Sequence, residues 1–157
     1  MMASSALVAF GLARIKFKGR NIWFVLMVVT MMLPGQVMMI PRFVLFNSMG
    51  WVGTYLPMIV PSFFASGFNI FLIMQFIRGI PRDMDEAAKI DGAGPWRIYS
   101  RIVLPLITPI LTTVVVFQTM GTWNDFLLPS VFLSSTDNQT VVLQVYNAVQ
   151  QFSTNWP

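Results

Sequence analysis

The sequence predicts an all-α fold, a polytopic membrane helix bundle, on three observations. Of 157 residues, 55% are hydrophobic and 10% are charged, whereas soluble domains carry roughly a quarter charged residues. The apolar residues gather in long runs without charge. The basic residues collect on one side of the spans those runs define. A water-soluble domain of this composition would need its apolar residues scattered and hidden in a core, and here they are contiguous.

A membrane helix needs about 20 mostly apolar residues. Residues 1–13 are small and apolar, and Arg14, Lys16, Lys18 and Arg20 follow them. A signal peptide places its charges before its apolar run, so this piece reads as the end of a span. Asn21 to Pro41 is uncharged, and so is Phe43 to Ile77. The second run is too long for one crossing, and a turn-like stretch, Asn47 to Thr54, divides it. Ile102 to Asn124 is uncharged as well. The spacing therefore predicts spans at about 21–46, 55–78 and 102–128, joined by a loop over 79–101 and followed by a polar tail over 134–157. Pro34, Pro57, Pro61, Pro105 and Pro109 lie inside these spans. They read as kinks, tolerated where neighbouring groups satisfy the freed carbonyls.

Orientation follows from charge. Arg14, Lys16, Lys18 and Arg20 precede the first complete span, and Arg78, Arg82, Lys89, Arg97 and Arg101 lie between the second and third. Three spans alternate sides, so these two loops share one, which the positive-inside rule makes cytoplasmic. Only Arg42 falls elsewhere, near the outer end of a span, where its long side chain can snorkel. The basic excess needs no nucleic-acid partner. Single cysteines at Lys18, Lys89 and Ser135 test the topology. On intact cells an impermeant reagent should reach Ser135 alone, and labelling at Lys18 or Lys89 but not Ser135 would invert it.

Catalytic chemistry has little to work with. Cys and His are absent, which excludes disulfides, thiolate metal sites and histidine bases. Four of the six acids, Asp83, Asp85, Glu86 and Asp91, share one segment. No metal site, cofactor or catalytic residue is expected.

That segment, Pro81 to Pro105, is the informative one. Asp83 and Glu86 suit the positive end of a helix, and Glu86 to Ile90 propagates one. Gly92 sits where a left-handed terminating residue belongs, and Gly94-Pro95 suits the start of a second helix. Two short helices meeting at a glycine corner form a knob tied directly to the third span, whereas a solvated charged loop would need no such order.

The knob resembles the cytoplasmic "EAA" loop of permease subunits of binding-protein-dependent ABC importers. The family pattern is Glu-Ala-Ala, three residues, Gly, nine residues, Ile, one residue, Leu-Pro; here it reads Glu86-Ala87-Ala88, Gly92, Ile102, Leu104-Pro105. Ala9 to Arg14 with Phe17 to Arg20, Pro34 with Gln36, Ile40-Pro41, Gly50 to Pro61, and Trp123-Asn124-Asp125-Phe126-Leu127-Leu128-Pro129 are similar to the maltose-permease-like carbohydrate group, with Asp125 replacing a Glu. The second permease subunit of that group is the best match.

The resemblance implies an all-helical permease, usually of six spans, in a bacterial inner membrane. A second permease subunit, a dimer of ABC ATPase subunits and an extracytoplasmic solute-binding protein would be its partners, and a sugar or oligosaccharide its cargo. Against six spans the resemblance implies a piece truncated at both ends, the alternative being a miniature permease. The loop would seat in an ATPase groove through Asp85, Glu86, Ala87, Ala88, Asp91, Gly92, Ala93 and Pro95. Polar and aromatic groups on the third span, Gln118, Thr119, Trp123 and Asn124, are the candidates for the translocation path. Helix–helix hydrogen bonding is the alternative reading for Gln118, and interfacial anchoring for Trp123. The 157 residues hold no Gly-rich Lys-Ser/Thr phosphate loop, so ATP hydrolysis would come from a separate subunit. The alternatives are a secondary transporter, a membrane enzyme and an inactive permease fragment. A secondary transporter needs ionisable groups at membrane depth, which these spans almost entirely lack.

Overall fold

The computed structural model describes residues 1–133 and 139–153, and among these there are helices and no strand. In chain order they are α1 (Met2–Arg14), α2 (Arg20–Met32), α3 (Met39–Ser48), α4 (Leu56–Ser62), α5 (Gly67–Gly79), α6 (Asp83–Ile90), α7 (Pro95–Ile98), a π-helical turn (Tyr99–Val103), α8 (Leu104–Leu106), α9 (Thr108–Trp123), α10 (Leu127–Phe132) and α11 (Val141–Ser153). They form two compact units, one from residues 1–33 and 63–117, the other from 34–62 and 118–157.

The first unit is organised by the pairing of α1 with α5. Ser5, Ala9 and Ala13, spaced four apart on one face of α1, are all buried. Ala9 and Ala13 pack with Ala6 in a cluster that includes Ile70, Ile73, Met74 and Ile77 of α5. Small residues at this spacing let two backbones approach closely, which is how helices associate where no hydrophobic force separates protein from lipid. The Ser5 hydroxyl also accepts the Ser66 backbone N–H at 3.1 Å, at the entry to α5. Ile98, Tyr99, Val103, Ile107 and Val114 complete the cluster, and Phe10 meets Tyr99 with ring centroids 5.2 Å apart.

Helix α2, by contrast, buries no residue, and Trp23 and Met32 are 62% and 76% exposed. A continuous apolar surface of this kind on a protein in water marks an interaction site; on a membrane helix it is the face that meets lipid or other helices.

The spans are more broken than the apolar runs suggested. The first, expected over 21–46, is two helices. Leu33 is extended (φ −77°, ψ 118°) because the ring of Pro34 disfavours helical geometry in the residue before it. Among the described residues Leu56–Gly79, 24 residues, is the one stretch long and apolar enough to cross a membrane by itself. The third begins earlier than expected, at Pro95, and bends by 70° between Leu106 and Thr108; with both arms counted as one span it is the second such stretch among the described residues.

Two prolines explain this shape. Pro105 offers no N–H to the carbonyl of Arg101, and just before it the helix widens into a π turn, with the Leu104 N–H reaching Tyr99 O. Pro109 offers none to the carbonyl of Pro105, and the Thr108 hydroxyl donates to that oxygen instead at 2.7 Å.

In the second unit, α3 is terminated by the left-handed Gly50 that follows it (φ 68°), and the Trp51 N–H closes back on Phe46 O at 2.9 Å. Phe46 stacks on Trp51 and meets Phe132 edge-on at 5.4 and 5.6 Å, and the Gly53 N–H donates to Phe132 O at 2.9 Å. Much of the expected external tail is helical, as α11, with Val141, Val145 and Val149 exposed on one stripe. Residues 134–138 and 154–157 of that tail lie outside the described residues.

Candidate functional site

The knob has the corner the sequence called for. Gly92 is left-handed, with φ 77°. The Gly92 N–H bonds Lys89 O at 3.0 Å and the Ala93 N–H bonds Ala88 O at 2.9 Å, the paired closure of a Schellman motif. Gly94 is extended and Pro95 opens α7. At the other end Asp83, Asp85 and Glu86 occupy the first turn of α6, but no side chain caps it. The acids act there through the helix dipole, and not as the reciprocal capping pair their spacing resembles.

The eight residues expected at the docking face divide into two sets. Glu86, Ala87, Asp91, Gly92 and Pro95 are exposed. Asp85 is not: it is 6% exposed, and its Oδ2 lies 3.2 Å from Arg14 Nε. Ala88 and Ala93 are half-buried and pack against the α1–α5 cluster. Helical periodicity is the reason. Asp85 and Ala88 are three apart and share the inward face, so Glu86 and Ala87 cannot join them. Their place on the outer face is taken by an unexpected residue. Ile90 is 87% exposed, four residues beyond Glu86 on the same side. Trp96, at 68%, stands exposed at the start of α7. The outward surface is thus an aliphatic knob beside acids, held on a corner. The signal for Ile90 was present in the helical register of Glu86, but the motif gives no reason to look beyond its own letters.

Arg14 is the other residue that sequence reasoning missed. It counted there only as one basic charge of a loop. In the structure its Nη2 donates to Ile77 O at 3.0 Å and to Ile80 O at 2.7 Å, at the C-terminal end of α5, while Nε faces Asp85.

The candidates for a translocation path do not converge. Gln118, Thr119, Trp123 and Asn124 are all exposed. Gln118 Nε2 reaches Thr122 Oγ1 at 3.4 Å, Thr119 and Trp123 lie one turn apart, and Asn124 Nδ2 donates back to Met120 O at 2.8 Å. None of them lines the groove of about 490 Å³ found in the first unit, whose walls include Val8, Leu12, Trp23, Leu26, Met27 and Ile70. With the Thr30 hydroxyl and the Trp23 indole N–H the polar side-chain groups on its walls, that groove is poorly suited to the many hydroxyls of a sugar.

Comparison with known proteins agrees with this architecture. Residues 5–156 match the family described as the binding-protein-dependent transport system inner membrane component. The chain is 34% identical over 152 residues to the arabinooligosaccharides transport system permease protein AraQ of Bacillus subtilis, covering 97% of this chain and 54% of AraQ. It is 35% identical over 158 residues to the probable starch degradation products transport system permease protein AmyC of Thermoanaerobacterium thermosulfurigenes, covering 97% and 56%. To the diacetylchitobiose uptake system permease protein NgcG of Streptomyces coelicolor it is 34% identical over 145 residues, covering 92% and 48%. The chain thus spans about half the length of these relatives. Its fold superposes with a TM-score of 0.77, at 25% identity, on a chain of the crystal structure of a bacterial ABC transporter involved in import of the acidic polysaccharide alginate, covering 98% of this chain and 55% of that one. An all-helical fold, the spaced Glu86 to Pro105 pattern and a family match over nearly every residue lead to one conclusion: this chain belongs to the inner membrane components of binding-protein-dependent transport systems.

Proposed function

We propose that this chain builds part of the transmembrane pathway of an ATP-driven importer in a bacterial inner membrane, and that the cargo is a sugar or oligosaccharide. The observation that carries the reading is the α6–Gly92–α7 corner. It presents Glu86, Ala87 and Ile90 outward from a rigid turn, and it continues directly into the bent helix that begins at Pro95. A partner that seats on this corner can move a span. ATP hydrolysis is supplied by a dimer of ATPase subunits docked there. A second permease subunit closes the pathway. A solute-binding protein meets the polar outer tail, with Ser135, Asn138 and Gln150 as contact positions, the first two outside the described residues. The saccharide cargo rests on the names of AraQ, AmyC and NgcG. Gln118, Thr119, Trp123 and Asn124 remain the candidates for touching it, because aromatic faces and amides suit sugar rings. The chain itself performs no chemistry.

The test is uptake by the full-length subunit, reconstituted with its second permease, ATPase and binding protein. Arabino-, malto- and chito-oligosaccharides are offered in turn. Accumulation of at least one that requires ATP inside supports the proposal. Uptake driven by an ion gradient without ATP would contradict it and favour a secondary transporter.

A further inference from the structure

We infer that Arg14 and Asp85 form a buried clamp that makes the docking helix α6 move as one piece with α1 and α5. The inference rests on the reading of α6 as the ATPase-docking element and names the positioning residues that transmit its motion.

The geometry is specific. Both side chains are more than nine-tenths buried, at 6% and 9% exposure. Arg14 occupies the last turn of α1. Two of its hydrogen bonds go from Nη2 to Ile77 O and Ile80 O at the end of α5. Its Nε faces Asp85 Oδ2 on the inward side of α6 at 3.2 Å. One guanidinium, carried by α1, therefore touches two further elements, α5 and α6. A cation there also suits the negative ends of both α1 and α5. Between α5 and α6 only Ile80, Pro81 and Arg82 intervene. A short covalent link fixes the distance of α6 from α5 but not its direction, and the charge contact supplies the direction.

The pair is also not saturated. Asp85 Oδ1 is buried without a hydrogen-bond partner, and the Nε–Oδ2 contact is a charge contact without an aligned hydrogen bond. Lysine cannot replace the arginine, since a single ammonium cannot span two helix-end carbonyls and a carboxylate on a third element.

The test uses the full-length subunit assembled with its ATPase, second permease and binding protein. Asp85→Asn keeps the shape and removes the charge; Arg14→Lys keeps the charge and removes the fork. Two quantities are read for each: hydrogen exchange of backbone amides over 83–93 relative to α1 and α5, and cargo transported per ATP hydrolysed. Both variants should exchange faster over 83–93 by about tenfold or more, with α1 and α5 unchanged. They should keep the ATPase bound and transport less per ATP. Faster exchange with an unchanged transport-to-ATP ratio would overturn the positioning role and leave a purely structural pair. Unchanged exchange would overturn the clamp itself. An unaltered subunit that binds no ATPase would overturn the docking reading instead, and the exchange result would then decide the clamp alone.

Discussion

Gly92→Val in the full-length subunit abolishes uptake while leaving membrane insertion and recognition by the binding protein intact. The expectation comes from backbone geometry. At φ 77° a side chain is disfavoured in itself, and a Cβ built at this position meets nothing within 4 Å. Loss of function therefore arises from conformational strain, about 1–2 kcal/mol or more for a β-branched residue, and not from a clash that a neighbour could relieve. Relaxing the strain means opening the corner, which breaks the Gly92–Lys89 and Ala93–Ala88 closures and swings α6 away from α7. Gly92→Asn is the informative control, because asparagine tolerates the left-handed region and should retain much of the uptake. Glu86→Ala should cost far less than Gly92→Val, since an exposed acid contributes about 1 kcal/mol at most to a surface contact. Transport and ATPase activity of the assembled complex in vesicles decide the matter. Normal transport by Gly92→Val would contradict the role given to the corner.

Ile90→Asp detaches the ATPase. An isoleucine that is 87% exposed in this chain contributes about 1.5–3 kcal/mol when fully buried in a partner. Aspartate in its place forfeits that and carries a charge into an apolar pocket. Affinity for the ATPase should fall by about ten- to a hundredfold or more, read as loss of co-purification and, by titration, as a shifted binding curve. The helix should be unaffected, because Ile90 lies outside the buried cluster formed by the described residues. Undiminished ATPase binding by Ile90→Asp would place the docking surface elsewhere.

The contrast between these residues shows what the sequence made legible. Gly92 and Gly94-Pro95 were readable because the forces that place them are local: one residue needs positive φ, and another lacks an N–H. Charge asymmetry and apolar runs likewise gave a helical membrane fold. The direction of Asp85 was not readable, because an acid on a short charged helix reads as solvent-facing until its partner is known, and Arg14 lies on a helix far away in sequence. The division of the docking motif into outward Glu86 and Ala87 and inward Asp85 and Ala88 follows from helical register, which a list of motif letters conceals. The second expected span, 55–78, coincides with Leu56–Gly79, whereas the first and third differ from the helices for a related reason. Averaged hydropathy sees twenty apolar residues, but the single restriction that Pro34 places on Leu33 is enough to end α2. Pro105 and Pro109, readable as kinks because each lacks an N–H, flank the 70° bend of the third span, whose size residue type alone does not give. The path candidates were chosen by residue type alone, and the structure leaves them exposed without gathering them.

The central claim is that the α6 corner is where the ATPase sits. The most direct measurement places a photoreactive amino acid at Ile90, and separately at Trp23 on α2 as a control, in the full-length subunit within its assembled complex. Irradiation should join Ile90 to the ATPase subunit, with a yield that changes between the nucleotide-free and ATP-bound states, and Trp23 should give no ATPase adduct. The absence of any adduct from Ile90 in every nucleotide state, with the complex shown to be assembled, would contradict the account.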